Sequence, residues 1–187
     1  MSRDRRFQVG QCYHVYNRGN DRQNIFFERE NYLYFLRLLR QHLIEHDIEI
    51  VAYCLMPNHY HLLVRLQTEE LSRRMQVLSV AFTKAMNRRY RRVGSLFQGR
   101  FQAILVEEDD YLLHLTRYIH LNPVKACLVG RAEDWEFSSY REYVELRRGR
   151  LPSRERVEFG SAARYRAFVE DGMAGADRVI RGLMLDE

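Results

Sequence analysis

The stretch from residue 48 to 66, IEIVAYCLMPNHYHLLVRL, constrains the fold more than any other part of the chain. Two runs rich in β-branched, aromatic and other apolar residues flank MPN, a tight connection, so residues 48–55 and HYHLLVRL read as neighbouring antiparallel strands. A two-stranded hairpin is at best marginally stable alone, so other strands and helices must cover it. Side chains alternate along a strand, which puts His59 and His61 on one face with Tyr60 opposite. Two imidazoles about 7 Å apart by strand geometry can converge on one metal ion. A bare H-x-H is also compatible with two ordinary polar residues on a half-exposed strand.

The remaining elements follow from periodicity. Residues 11–17, QCYHVYN, read as a strand ending at the turn RGND. Tyr32, Phe35, Leu36, Leu39 and Leu43 recur at helical spacing between Glu28 and His46, and Asp47 ends that helix. Leu71, Met75, Leu78, Phe82 and Met86 mark the core face of a helix from Leu71 to Tyr90. FQAILVE is a fourth strand, followed by a helix that Asp109 or Asp110 can cap and that Asn122-Pro123 interrupts. The remainder, through FSSYREYVELRRGR, reads as helical with Gly-containing breaks. The order is β-α-β-β-α-β: an α+β, ferredoxin-like antiparallel sheet with helices on one face, plus C-terminal helices. Fold alone implies no function.

Charge narrows the partners. No acidic residue occurs from Leu71 to Val106, while Arg73, Arg74, Lys84, Arg88, Arg89, Arg91, Arg92 and Arg100 are all basic. These eight exceed the whole chain's net +5, so positive charge is concentrated here, as on a surface facing a polyanion. Lys84, Arg88 and Arg91 are the expected phosphate partners. Neither a signal peptide nor a membrane span is read from the sequence, and the expected compartment is the cytoplasm. Cys12, Cys54 and Cys127 are widely spaced and form no CxxC pair, which suggests reduced packing residues.

The helix after the fourth strand adds a second half to the histidine pair. Leu112, Leu115 and Ile119 share its core arc, while Tyr111, His114, Tyr118 and Asn122 form a seam beside it. The segments YHVYNRGNDRQNIF, YCLMPNHYHLLV, GSLFQGRFQAILVEEDDYLLHLTRYIHLNPVKACLV and WEFSSY together resemble the Y1 transposase family of HUH enzymes. Within it they are most similar to the REP-associated tyrosine transposases, relatives of the IS200/IS605 transposases. The resemblance runs in order over roughly residues 10–145. It implies a catalytic domain over residues 1–149 and a helical tail of unknown role over 150–187.

By that resemblance His59 and His61 are metal ligands, Tyr118 is the nucleophile and Asn122 is a third ligand, with Mg2+ or Mn2+ as the ion. Two imidazoles alone suit zinc or similar ions, so the choice of metal comes from the family. Asn122 replaces the Gln of some relatives, which leaves His114 and Glu108 as alternative ligands; Tyr111 is the alternative nucleophile. Arg18, Arg22 and Arg100 match family positions, and the resemblance makes them candidates to read the DNA hairpin or its flank. The implied activity is cleavage and strand transfer on single-stranded DNA at REP-like palindromic hairpins, through a 5′-phosphotyrosine and without a nucleotide cofactor. A self-contained monomer is implied, with a dimer as the alternative. A competing reading is a domesticated hairpin DNA- or RNA-binding protein without cleavage activity.

Overall fold

The computed structural model describes residues 7–107, 109–149 and 151–171. Strands β1 (Cys12–Arg18), β2 (Ile48–Met56), β3 (His59–Leu66) and β4 (Gln102–Val106) form one antiparallel sheet in the order β2-β3-β1-β4. The β2–β3 hairpin closes at MPN as expected. Helix α1 (Arg29–His42) carries the chain from β1 to β2, and α2 (Leu71–Tyr90) carries it from β3 to β4. Placing β1 at the centre is the ferredoxin-like solution for this element order.

Strand alternation divides the interior in two. Val15, Tyr60, Leu62 and Val64 meet Phe35, Leu39, Leu78 and Phe82 of α1 and α2 on one face. All five apolar positions assigned to α2 are buried. The other face does not open to solvent: Ala52, Cys54, Met56 and Leu63 share a second core with Leu112, Leu115 and Ile119 of α3 (Asp109–Lys125). Two short helices, α4 (Tyr140–Tyr143) and α5 (Ala162–Asp171), complete that layer through Tyr143, Tyr165 and Val169. A bulge between Ile50 and Ala52 shifts the phase of β2, so that Cys54 pairs with His61 and Met56 with His59.

Three expectations are corrected. Asn122-Pro123 does not interrupt α3, which runs on to Lys125. A proline near a helix end removes only one donor. The chain recovers beyond it, with Ala126 N–H donating to the Asn122 carbonyl at 2.9 Å and Leu128 N–H to the Pro123 carbonyl at 2.9 Å. Likewise, residues 135–149 contain only the single turn α4, because their backbone is engaged elsewhere. Leu55 N–H donates to the Phe137 carbonyl, Ser139 N–H to the Tyr53 carbonyl and Ser153 N–H to the Ile50 carbonyl, lining the outer edge of β2. The three cysteines are free, and Cys127 is exposed where it was expected to pack. The side chains of Asp109 and Asp110, the expected caps, and the tail beyond Asp171 lie outside the described residues.

Candidate metal and nucleophile site

The site forms at the end of the sheet where β3 begins and α3 finishes. Antiparallel pairing sets Tyr16 opposite His61 and Arg18 opposite His59, so all four side chains share the face covered by α3. The imidazoles of His59 and His61 meet edge to face with ring centroids 5.0 Å apart. The Tyr118 ring approaches His61 at 5.6 Å and 75°. Asn122, one turn further along α3, donates from Nδ2 to the Tyr118 carbonyl at 3.1 Å, and its amide is near enough to His59 to act on that ring's pKa. Helical i, i+4 spacing brings Tyr118 and Asn122 to the two histidines together.

Burial sets the protonation states. Desolvation lowers the His59 pKa to about 4, with the Arg18 charge adding to the shift and the Asn122 hydrogen bond opposing it. The same desolvation holds His61 well below the usual imidazole value, reinforced by His14, His59 and Arg18. Both rings are therefore neutral at pH 7, the state in which a ring nitrogen can bind a metal. His59 Nδ1 lies 2.7 Å from Asn58 Oδ1, which accepts its proton and leaves Nε2 with the lone pair. His61 Nε2 is buried without a protein partner. An orphaned nitrogen beside a second neutral imidazole and an amide is a donor set that fits a divalent cation. Among the described residues no three His, Cys, Asp or Glu side chains form such a group.

Several candidates fall elsewhere. His114 turns from the pair, its Nδ1 lying 3.2 Å from the Arg117 guanidinium and its ring against Phe168 of α5. Tyr111 is half-buried two helical turns before Tyr118, about 10 Å along the axis. Glu108 lies outside the described residues. Two residues of this cluster were not anticipated. His14 meets His61 edge to edge with centroids 5.1 Å apart, and the Lys125 ammonium lies 5.0 Å from the centre of the Tyr118 ring. The alternation of β1 does put His14 in phase with Tyr16 and Arg18. Lys125 follows Tyr118 by seven residues, two turns along the same helix face, but lies beyond the supposed proline break.

The basic segment divides. α2 packs on the opposite face of the sheet from His59 and His61, but it runs toward the same end, where the loop to β4 folds beside β1. Gln98 N–H donates to the Arg18 carbonyl at 2.9 Å and Asn20 N–H to the Leu96 carbonyl at 2.9 Å. Arg18 therefore adjoins the histidines directly. Arg22, Arg88, Arg91 and Arg100 are exposed toward that end, and Lys84 is exposed on the preceding turns of α2. The positive face is smaller than the charge count implied: Glu70 pairs with Arg73 and Arg74, and Glu28 with Arg89. Such exposed pairs are worth little in stability but reduce the field.

Gly19 holds the turn after β1 against the turn before β3. Its N–H donates to the Asn58 carbonyl at 2.7 Å, and a Cβ there would stand 2.0 Å from the Gln23 carbonyl oxygen. Gly19→Ala is expected to lower stability by about 1–3 kcal/mol through that overlap, read as a lower urea midpoint. An unchanged midpoint would show that the turn relaxes freely.

A ferredoxin-like sheet with this layering has a solved counterpart. The structure of a REP-associated tyrosine transposase bound to a REP hairpin superposes with a TM-score of 0.63 over 78% of this chain and 86% of that chain, at 24% identity. The chain belongs to the family of IS200-like transposases, whose family model matches residues 8–122. A protein of Haemophilus influenzae described as a REP-associated tyrosine transposase is 32% identical over 111 residues, 54% of this chain. The aligned region spans 63% of that relative's length. No helix among the described residues is long and apolar enough to cross a membrane.

Proposed function

We propose that this chain is a metal-dependent endonuclease and strand transferase that acts on single-stranded DNA beside REP-like hairpins through a 5′-phosphotyrosine. The observation that carries this reading is the contact of the Tyr118 ring with His61, whose unpartnered nitrogen lies beside His59. Tyr118 Oη attacks the scissile phosphorus, a Tyr–O–P bond forms as the P–O3′ bond breaks, and the 3′ oxygen leaves as a hydroxyl carrying a proton. The phosphodiester energy is conserved in the new ester, so the released hydroxyl can reverse the step without a nucleotide cofactor.

His59, His61 and Asn122 are the residues that would hold Mg2+ or Mn2+. When bound there, the ion supplies Lewis-acid polarisation of a phosphoryl oxygen. Tyr118 is only 2% exposed, so its ring is held by its surroundings before substrate arrives. The Lys125 ammonium over that ring places a positive charge beside the nucleophile, where it attracts phosphate. Arg18 and Asn58 frame the approach to His59, and the exposed arginines at the end of α2 supply backbone contacts.

The test is incubation of an end-labelled REP-like hairpin carrying single-stranded flanks, with Mg2+ or Mn2+ and with chelator. The expected result is a metal-dependent protein–DNA adduct stable in detergent, together with a fragment bearing a free 3′-hydroxyl. Tight hairpin binding with no cleavage in any metal would instead establish a binding protein that has lost its chemistry.

A further inference from the structure

His14 lies on the central strand, opposite Leu63 of β3 and Ile104 of β4, and is fully buried. Its Nε2 is 2.9 Å from His61 Nδ1, and the two rings meet edge to edge, with their planes 22° apart. Its other nitrogen, Nδ1, is buried without a partner, as is His61 Nε2. A hydrogen bond between two neutral imidazoles holds a single proton, so only two arrangements exist. If His14 donates, His61 carries its remaining proton on Nε2 and turns an N–H toward His59 and Tyr118, which repels a cation. If His61 donates from Nδ1, its Nε2 turns a lone pair to the same place.

The two arrangements leave one buried donor and one buried acceptor unpaired in each case, so within the protein they are closely balanced. A cation beside His61 breaks the balance, because only the second arrangement can receive it. We propose that His14 is a positioning residue that accepts the Nδ1 proton of His61, fixing the tautomer and the ring orientation that aim Nε2 at the metal. The inference rests on the reading of His61 as a metal ligand.

The outer partner of a ligating histidine is usually a carboxylate, a carbonyl or water. A neutral imidazole in that place orients the ligand without adding negative charge beside the incoming phosphate. Tyr16 supports the arrangement from the same strand, its ring 5.1 Å from His14 and 6.1 Å from His61.

The experiment uses the full chain without DNA, comparing wild type, His14→Phe and His14→Gln. Mn2+ binding is followed by electron paramagnetic resonance, and the protonated nitrogen of His61 by the 15N shifts of its ring with diamagnetic Mg2+ present. Phe keeps a buried ring but cannot accept a proton; Gln places an amide oxygen near the position of Nε2. Mn2+ affinity is expected to fall about 10–100-fold in His14→Phe. His61 there should become a mixture of tautomers, and both properties should recover in His14→Gln. If the Phe variant does not fold, as judged by circular dichroism, the Gln variant carries the test: wild-type Mn2+ affinity with Nδ1-protonated His61 supports the proposal, and loss of both overturns it. Wild-type affinity in a folded Phe variant overturns it, as does Nε2 protonation of His61 in the wild type. Absence of Mn2+ binding in the wild type, with His61 protonated on Nδ1, would overturn the metal reading of the site while supporting the contact with His14.

Discussion

Tyr118→Phe is expected to abolish the covalent adduct with hairpin DNA and to reduce strand cleavage by at least about a thousandfold, with hairpin affinity retained. The substitution removes one oxygen. The ring remains to fill the space against His61 and beneath the Lys125 ammonium, and α3 keeps its core contacts through Leu115 and Ile119. The loss therefore reports the nucleophile and not the fold. Two other tyrosines offer controls. Tyr16 lies 6.1 Å from His61 but on β1, and Tyr111 lies two turns back on α3. Tyr16→Phe and Tyr111→Phe are expected to keep the adduct. An adduct that survives in Tyr118→Phe and disappears in one of these variants would transfer the role to that residue.

The second large effect is on stability. Desolvation lowers the pKa of His14 to about 3, of His59 to about 4 and of His120 to about 3, and holds His61 well below its ordinary value. Each folded-state value lies below the unfolded value near 6.5, so the unfolded chain takes up protons first as pH falls. The stability these rings allow is present above pH 6.5 and is lost progressively toward the folded-state values. Between pH 7 and pH 5, His14, His59 and His120 each cost about 2 kcal/mol and His61 acts in the same direction, together a large share of the stability of an ordinary domain. In chelator, the urea midpoint is expected to collapse near pH 5. A midpoint that holds constant to pH 5 would mean that the rings find acceptors on protonation. His120 isolates the effect from the proposed metal ligands, because its two ring nitrogens lie 2.7 Å from the Tyr165 hydroxyl and 2.7 Å from Ser139 Oγ.

Local regularities made much of the architecture legible. Period-two alternation put His59 and His61 on one face, and three- and four-residue spacing identified the buried positions of α2, because both depend only on chain geometry. What escaped depends on residues distant in sequence. His14 is 47 residues from His61 and meets it only through strand register. Glu28 neutralises Arg89 across 61 residues, so an acid-free segment did not mean an unpaired one. Lys125 lies beyond Pro123, a residue type that ordinarily ends a helix, so sequence pattern alone does not join it to Tyr118. The third layer follows from packing: β2 is apolar on both faces, but the pattern does not say which later helix covers the second.

The segments along the outside of β2 have a consequence for copies of the molecule in contact. Tyr53 and Leu55 bond to residues 137–139, and Ile50 to Ser153, while the Trp135 indole donates to the Leu55 carbonyl and the Tyr143 hydroxyl to the Val51 carbonyl. The nine-residue strand at this border is thereby spent within its own chain, and the opposite border is the five-residue β4. Edge-to-edge joining of sheets, a common route to aggregation, is thus denied its longer and more apolar template by a stretch of irregular backbone.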